Sequence, residues 1–328
     1  MALLTPDALP LPHPAAGRWP RPPAYASFET DWTPRAYLAD YYGAVEPDER
    51  RTIAFFVEAM KDCAAGEPML VFGVGPTLHH VFLAAPTASE LHLADYLPAN
   101  LREIERWIAR DPEAHDWRPF VRHTLGCEGN ACPTEADIAQ REELARARIA
   151  RLLQVDIRRP DPLGAGGTPP YGTVISAYCV DSATDDRAAW ETYMQRLADL
   201  VRPGGTLILA ALRRCRGYVV GGRSFPSADV DERDLRAVLE RACRPEDIAL
   251  EVCELAGTES KGYASIVLAR GRRRRDAHRT PARVTGVTAA RELPEIHDPI
   301  PTESRTSDRV PAACNAMSGA SRQTEVLT

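Results

Sequence analysis

The sequence predicts an α/β fold built on a mostly parallel sheet with helices on both faces. Three observations predict it. Helix-period and strand-like runs alternate from residue 34 to residue 270. A turn carrying two glycines, "LVFGVGPT" (Leu70–Thr77), ends the first apolar run. The last two strand-like runs have no helix between them, which marks an antiparallel hairpin at a sheet edge.

The elements follow in order. "PRAYLADYY" places Pro34 at a first helical position, with Tyr37, Leu38, Tyr41 and Tyr42 at helical spacing. "DERRTIAFFVEAMKDCA" continues as a second helix, "PMLVFG" is a short buried strand, and "TLHHVFLAA" is helical again. "ELHLAD" is a strand, and "PANLREIERWIAR" is a helix with Leu101, Ile104, Trp107 and Ile108 on one face. "TEADIAQREELARARIARLL" opens with a capping box of Thr134 and Asp137 and is expected to be one long helix. A further candidate strand precedes Asp156 in "LLQVDIRRP". "GTVISAYCV" is a strand, "DRAAWETYMQRLADLV" a helix, "TLILAAL" a strand and "DERDLRAVLERAC" a helix. The strands "IALEVCEL" and "YASIVLAR" close the domain, and the two helices before the first strand are placed to cover the mouth of a site.

Composition bounds the function. The chain has 328 residues, 44% hydrophobic and 26% charged, enough for one large domain or two small ones. A formal charge of -6 offers no case for a nucleic-acid partner, and no run approaches the ~18 apolar residues of a membrane span. The opening residues lack the basic start and unbroken apolar core of a signal peptide. The eight cysteines are scattered with no Cys-x-x-Cys pair, as expected of free thiols in a reducing cytoplasm. Cys127, Cys132 and His123 fall short of a zinc ligand set, so no metal is expected. Residues 1–24, rich in Pro and Ala, and 271–328, which open on a solvated basic run at Arg272–Arg275, are expected to be disordered extensions of a folded domain at 25–270. The expectation is a cytoplasmic monomer acting on a small molecule.

In an open α/β sheet, ligands lie at the carboxyl ends of the strands. That rule selects Gly73–Thr77, Asp95–Tyr96, Asp156–Ile157, Ala177–Asp181 and the residues from Ala211 onward. Gly73 and Gly75 let the backbone approach a ligand closely. Asp95 ends the next strand, where a carboxylate grips a ribose diol. A dinucleotide loop needs a third glycine three residues after the second. Here that position is Leu78, and Pro76 removes a backbone donor that an anion would use. S-adenosylmethionine has no phosphate and needs only the close backbone and the ribose acid. Asp156 can take the adenine amine with Ile157 against the ring. "LVRPGG" before "TLILAAL" is a helix-to-strand turn common in class I methyltransferases. These residues favour S-adenosylmethionine over NAD.

From about Phe28 to Arg270 the chain resembles the nicotinamide, phenylethanolamine and thioether/indolethylamine N-methyltransferases. The resemblance is carried, in order, by "WTPRAYLADYY", "GVGPT", "ADYLPANLREIERWIARDPEAHDW", "QVDIRRPDPLG", "VDSA" and "LVRPGGTLIL". It implies a Rossmann-like class I methyltransferase: a mostly parallel seven-stranded sheet, a C-terminal antiparallel hairpin strand and N-terminal lid helices. It implies that Tyr37 and Tyr42 close over the methionine part of S-adenosylmethionine, with Gly73 and Gly75 beneath. It gives Asp95 the ribose hydroxyls with Tyr96 beside it, Asn100 the ribose side, and Asp156 and Ile157 the adenine. Ala177 stands where the family usually has Thr, and His79 where it usually has Tyr.

On the acceptor side the resemblance implies Phe28, Asp181, Ala211 and Tyr218. Ala211 replaces an acid that holds the acceptor amide in the nicotinamide branch, and Arg213, Arg214 and Arg216 follow it. An acid lost and arginines gained lean towards an acceptor carrying a carboxylate, such as an aromatic amino acid. The expected activity is methyl transfer to an amine, N-heterocycle or aromatic amino-acid-like molecule. C- or O-methylation on the same fold, and a non-catalytic S-adenosylmethionine-binding protein, are the alternatives. A phenol oxygen or ring carbon needs proton removal, for which His79 and Asp181 are the nearest groups; no catalytic base is assigned. The Pro- and Arg-rich composition is that of a GC-rich bacterial genome, where such enzymes tailor secondary metabolites.

Overall fold

Alternation of apolar side chains along the strands decides the layering. A computed structural model describes residues 22, 24–164, 170–256, 258 and 261–275. The first elements are helices α1 (Pro34–Tyr42) and α2 (Pro47–Met60), strand β1 (Met69–Phe72), helix α3 (His79–Ala84), strand β2 (Leu91–Asp95) and helices α4 (Pro98–Ile108), α5 (Arg118–Cys127) and α6 (Glu135–Arg148). Strands β3 (Ile149–Gln154) and β4 (Tyr171–Ala177), helix α7 (Arg187–Asp199), strands β5 (Val201–Leu212), β6 (Gly217–Val220) and β7 (Arg223–Pro226), helix α8 (Glu232–Ala242), and strands β8 (Cys243–Glu254) and β9 (Ser265–Arg273) follow.

In β1, Met69 and Val71 pack in one core with Phe56 of α2 and Phe82 of α3. Leu70 and Phe72 pack in the other core with Trp190 and Met194 of α7. Both faces of the strand are buried, as a parallel sheet between helical layers requires. The first six helices contribute to one face, while α7 and α8 cover the other.

The seven-stranded sheet has the order β3-β2-β1-β4-β5-β9-β8. β3, β2, β1, β4 and β5 pair in parallel, and β9 runs antiparallel to both β5 and β8. The final strand thus inserts between β5 and β8, leaving β8 as the edge. β9 runs to Arg273, past the expected domain end at 270. The terminal segments 1–21 and 276–328, for which disorder is expected, lie outside the described residues.

Three elements differ from expectation. The run expected as one helix to residue 153 splits: α6 ends at Arg148, and β3 begins at Ile149. Pairing of Leu93 with Leu152 and Ala94 with Leu153 takes those residues into the sheet, so tertiary pairing overrides a helical propensity that Ala, Arg and Leu share. α5 buries Phe120, Val121, Thr124 and Leu125 on one face. β6 and β7 form a separate hairpin whose two-residue turn, Gly221–Gly222, has φ of 54° and 74°. That is the left-handed pair a two-residue hairpin of this type needs.

The carboxyl ends of β1, β2, β3 and β4 open on the same side of the sheet, where α1 and the hairpin meet over them. Tyr41 Oη donates to the Val219 carbonyl at 2.9 Å, and the Gly221 N–H donates to Asp40 Oδ2 at 2.7 Å. The Ala26 N–H donates to the Ser224 carbonyl at 2.8 Å. No helix among the described residues is long and apolar enough to cross a membrane. The seven cysteines among the described residues are all free thiols.

Ile208 sits at the centre of β5 between β4 and β9 with 0% exposure. Ile208→Ala is expected to lower unfolding free energy by ~2–5 kcal/mol, read by denaturant titration. A loss within experimental error would contradict this placement in the core.

Candidate active site

The cavity begins at the turn after β1. Gly73 and Gly75 have φ of 67° and 63°, the left-handed region that residues with a Cβ avoid. The Gly73 and Val74 N–H groups both donate to the Ala94 carbonyl, at 2.8 and 3.0 Å, which binds the loop to the end of β2. A Cβ on Gly73 would lie 1.9 Å from Cys179 Sγ, so the loop after β4 closes against bare backbone here.

Asp95 ends β2 and is 6% exposed. Its Oδ2 accepts the Gly75 N–H at 2.8 Å; its Oδ1 accepts the Leu97 N–H and Asn100 Nδ2, both at 2.9 Å. Trp32 Nε1 in turn donates to Asn100 Oδ1 at 2.9 Å, joining the segment before α1 to the same carboxylate. Burial raises the Asp95 pKa, and the hydrogen bonds from Leu97, Asn100 and Gly75 oppose that rise.

Beyond β3, Val155 and Ile157 supply apolar wall on either side of Asp156. Arg158 Nε and Nη2 donate to Asp156 Oδ1 and Oδ2 at 2.8 and 3.0 Å, and the guanidinium lies 4.4 Å over the Tyr96 ring. Burial acts to raise the Asp156 pKa, but the hydrogen bonds and charge of Arg158 outweigh it and hold it below the usual range. Tyr96 Oη donates to Glu29 Oε1 at 2.6 Å, so this end is clasped from the N-terminal segment.

The opposite end is aromatic. Tyr37 and Tyr42 hydroxyls meet at 3.2 Å, and Phe28, Trp32, Tyr41 and Tyr218 line the wall around them. Tyr178, at φ 53° directly after β4, brings its hydroxyl within 2.5 Å of Thr52 Oγ1. Tyr263 Oη donates to Asp48 Oδ2 at 2.6 Å. Asp48 and Glu49, from the first turn of α2, are both 4% exposed and face the cavity together with His79 and His80. Burial pulls the His79 pKa down to about 3 and pushes that of Glu49 up to about 7.

Of the residues singled out from sequence, Phe28, Tyr37, Tyr42, Gly73, Gly75 and His79 line this one cavity. Asp95, Tyr96, Asn100, Asp156, Ile157, Ala177 and Tyr218 line it too. Asp181 and Ala211 do not: they border a separate small void with Trp190 and Met194. Two-residue alternation in β5 turns Ala211 away and presents Leu212 instead. Asp181 Oδ2 accepts the Leu212 N–H at 2.8 Å, and its carbonyl accepts the Ala228 N–H at 2.9 Å, so it pins two loops together. The arginines after β5 are also turned away. Arg213 pairs with Glu232, Arg214 approaches Asp231 and Arg216 pairs with Asp229, at 2.6, 3.9 and 2.9 Å. Cys127 Sγ and His123 Nε2 stand 3.7 Å apart near the surface, and Cys132 is exposed.

Trp32, Asp48, Glu49, His80 and Tyr263 line the cavity without having been singled out, and Tyr178 lines it from the Ala177–Asp181 turn selected at the end of β4. The two acids read in sequence as ordinary first-turn partners of a helix dipole.

The chemistry of the cradle fits a nucleoside without phosphates. It offers a buried acid at the end of β2 and an apolar slot closed by a second acid, and Arg158 is the sole lysine or arginine on the cavity wall among the described residues. Fold and cradle together define a class I S-adenosylmethionine-dependent methyltransferase. A sequence profile of the NNMT/PNMT/TEMT family matches residues 23–265. Nicotinamide N-methyltransferase of Homo sapiens is 28% identical over 223 residues, covering 66% of this chain and 83% of that protein. Phenylethanolamine N-methyltransferase of Bos taurus is 29% identical over 230 residues, covering 66% and 78%. The solved structure of the N-methyltransferase NodS from Bradyrhizobium japonicum with S-adenosyl-L-homocysteine aligns with 71% of this chain and 90% of that one, at 15% identity and a TM-score of 0.43. The chain belongs to the NNMT/PNMT/TEMT family and is an S-adenosylmethionine-dependent methyltransferase.

Gly73→Ala places a Cβ against Cys179 at a left-handed φ. It is expected to weaken S-adenosylmethionine binding by at least roughly tenfold in calorimetric titration, the equivalent of ~1.4 kcal/mol of strain. Unchanged affinity would contradict the close packing of this loop.

Asp181 yields a pH dependence. Burial raises its pKa from 3.8 to about 7, while the Leu212 N–H opposes the rise. The folded state therefore favours the protonated acid. Its contribution is fully present below pH 3.8 and is lost as pH rises through about 7. The non-titrating Asp181→Asn is expected to gain melting temperature relative to wild type as pH is raised across that window. A constant difference would contradict the assignment.

Proposed function

We propose that this methyltransferase methylates the nitrogen of a small aromatic amine or N-heterocycle. The observation that carries the reading is the composition of the acceptor end of the cavity. Its walls are aromatic, the Asp48 carboxylate is buried among them, and no lysine or arginine lines that end among the described residues. The arginines that favoured a carboxylate-bearing acceptor in sequence are paired with Glu232, Asp231 and Asp229.

The bound donor supplies a sulfonium methyl group, an electrophile for a neutral lone pair. In-line attack leaves the sulfur neutral and the nitrogen positive. Asp95, Asn100 and the Gly73–Gly75 backbone hold the nucleoside, and Asp156 with Ile157 holds the adenine. Tyr37 and Tyr42 close the methionine end, while Phe28, Trp32 and Tyr218 orient the acceptor ring. Fixing both reactants in one orientation removes much of the entropic barrier. The closed aromatic wall excludes water where charge is being transferred. The Asp48 carboxylate lies where positive charge develops on the acceptor, and in a dry site that interaction is strong.

A neutral nitrogen needs no base, which suits an aromatic wall with a buried carboxylate. Of the two bases considered from sequence, His79 is weak at a pKa of about 3 and Asp181 does not reach the cavity; Glu49, raised to about 7, is the titratable acid on the wall that a phenol or ring-carbon acceptor would use. The acidic net charge supports the absence of nucleic-acid partners, and the scattered free cysteines support a reducing, cytoplasmic compartment; the proposed enzyme acts as a monomer. The composition supports an acceptor drawn from bacterial secondary metabolism.

The test is a panel of aromatic amines, N-heterocycles, phenols and aromatic carboxylates, incubated with S-adenosylmethionine and read by mass spectrometry. Gain of one methyl on nitrogen is expected. Turnover of phenols alone, or of nothing in the panel, would overturn the reading. Asp48→Asn is expected to lower kcat by roughly tenfold or more while leaving the donor Kd unchanged, as befits an interaction made with developing charge.

A further inference from the structure

One cluster on the cavity wall has no part in the transfer described above. His79 and His80 open α3, and Glu49 reaches them from α2. His79 Nε2 lies 3.0 Å and His80 Nε2 3.9 Å from Glu49 Oε2, and one donor atom from each of the three residues lies within 4.8 Å of the others. Glu49 Oε2, both ring nitrogens of His79, and His80 Nε2 have no hydrogen-bond partner. The three residues are 4%, 1% and 6% exposed. Apart from the approach of His79 Nε2 to Glu49 Oε2, these buried atoms make no hydrogen bond, and an ion held between the three side chains would satisfy them together.

The surroundings fit an ion. The His79 ring stacks on Trp117 at 5.8 Å and lies 4.9 Å from Tyr42, while His80 packs 4.7 Å from Phe56. These rings keep the cluster dry on the protein side, and the open side is the cavity. Burial lowers the pKa of both histidines, leaving the neutral imidazoles that a metal takes. Donors around one zinc-sized ion, each ~2.0–2.2 Å from it, stand roughly 3–4 Å apart, and the two measured edges fall in that range.

We propose that Glu49, His79 and His80 bind a divalent late first-row metal cation of the zinc type, with an open coordination position that takes a carboxylate oxygen of the molecule in the cavity. Two imidazoles and one carboxylate select such ions over magnesium or calcium and leave positions for an external ligand. A divalent ion on Glu49 leaves one net positive charge within the cluster, with Asp48 as the neighbouring carboxylate on the wall, and the open coordination position is where an incoming carboxylate would bind. That carboxylate comes either from the amino-acid end of the donor or from the acceptor. Spacing along the chain hides the site, because Glu49 is distant in sequence from the histidines and meets them only when α2 and α3 pack. The site stands on its own geometry and does not depend on the acceptor class proposed above.

The full chain, stripped with chelator and exchanged into metal-free buffer, is titrated with Zn2+ by calorimetry and with Co2+ by visible absorption. One equivalent of Zn2+ and Co2+ d–d bands typical of nitrogen and oxygen ligands are expected. Glu49→Gln and His80→Ala are each expected to weaken Zn2+ at least tenfold. Retained binding of methylthioadenosine, which lacks the amino-acid carboxylate, shows that each variant is folded. Zn2+ is then expected to tighten S-adenosylhomocysteine but not methylthioadenosine if the donor supplies the carboxylate, or an aromatic amino acid but not its decarboxylated amine if the acceptor does. No stoichiometric binding by wild type would overturn the site, as would binding that survives both variants and is lost instead in Cys132→Ser or His123→Ala. Zn2+ affecting neither pair would overturn the open carboxylate position. Each readout is independent of turnover, so failure of the acceptor assignment leaves it interpretable.

Discussion

The Asp95 carboxylate is the constraint on which the rest of the site depends. It gathers the Gly75 N–H of the glycine loop, the Leu97 N–H at the start of α4 and the Asn100 amide. Through Asn100 it also holds Trp32, and with it the segment that closes the cavity. Three separate pieces of chain therefore take their position from one buried acid. Hydrogen bonds to a charged group are worth ~1.5–3 kcal/mol each, and these oppose, without cancelling, the cost of burying the charge. The sheet supplies the acid at the required place, because parallel pairing of β1 with β2 in register sets the end of β2 beside the turn after β1.

Charge is graded along the cavity. At one end Arg158 neutralises Asp156 and stacks on Tyr96, leaving a flat polar clasp. At the other Asp48 is held by Tyr263 among aromatic rings. In the proposed function the first end takes adenine and the second takes the acceptor, where a carboxylate favours the positive charge that methyl transfer brings. The β6–β7 hairpin ties α1 to the N-terminal segment, since it bonds to α1 through Tyr41 and Asp40 and to the segment through Ala26.

Much of this is legible in sequence, and the exceptions have physical causes. The glycine loop, Asp95 and Asp156 are visible because each sits at a strand end, a place that periodicity locates. The capping box at Thr134 and Asp137 forms as its spacing requires. The end of α6 is not visible, because Ala, Arg and Leu serve a helix and a strand alike until β2 provides a partner. Ala211 and Leu212 show the limit of strand reading: one residue decides which face a side chain takes, and only the pairing of β5 sets it. Glu49, His79 and His80 illustrate a different limit. Nothing local links Glu49 to the adjacent histidines, and only the packing of α2 on α3 makes a cluster of the three. The β6–β7 hairpin goes unread in the sequence, although the Gly-Gly pair in "VVGGRS" carries the signal for a two-residue turn.

The most direct test of the cradle is titration calorimetry with S-adenosylmethionine on the wild type and on Asp95→Ala. Micromolar binding by the wild type, weakened in the variant by roughly tenfold or more as expected for a lost charge-assisted hydrogen bond of ~1.5–3 kcal/mol, is the predicted result. No binding by the wild type, or equal binding by the two proteins, would contradict it.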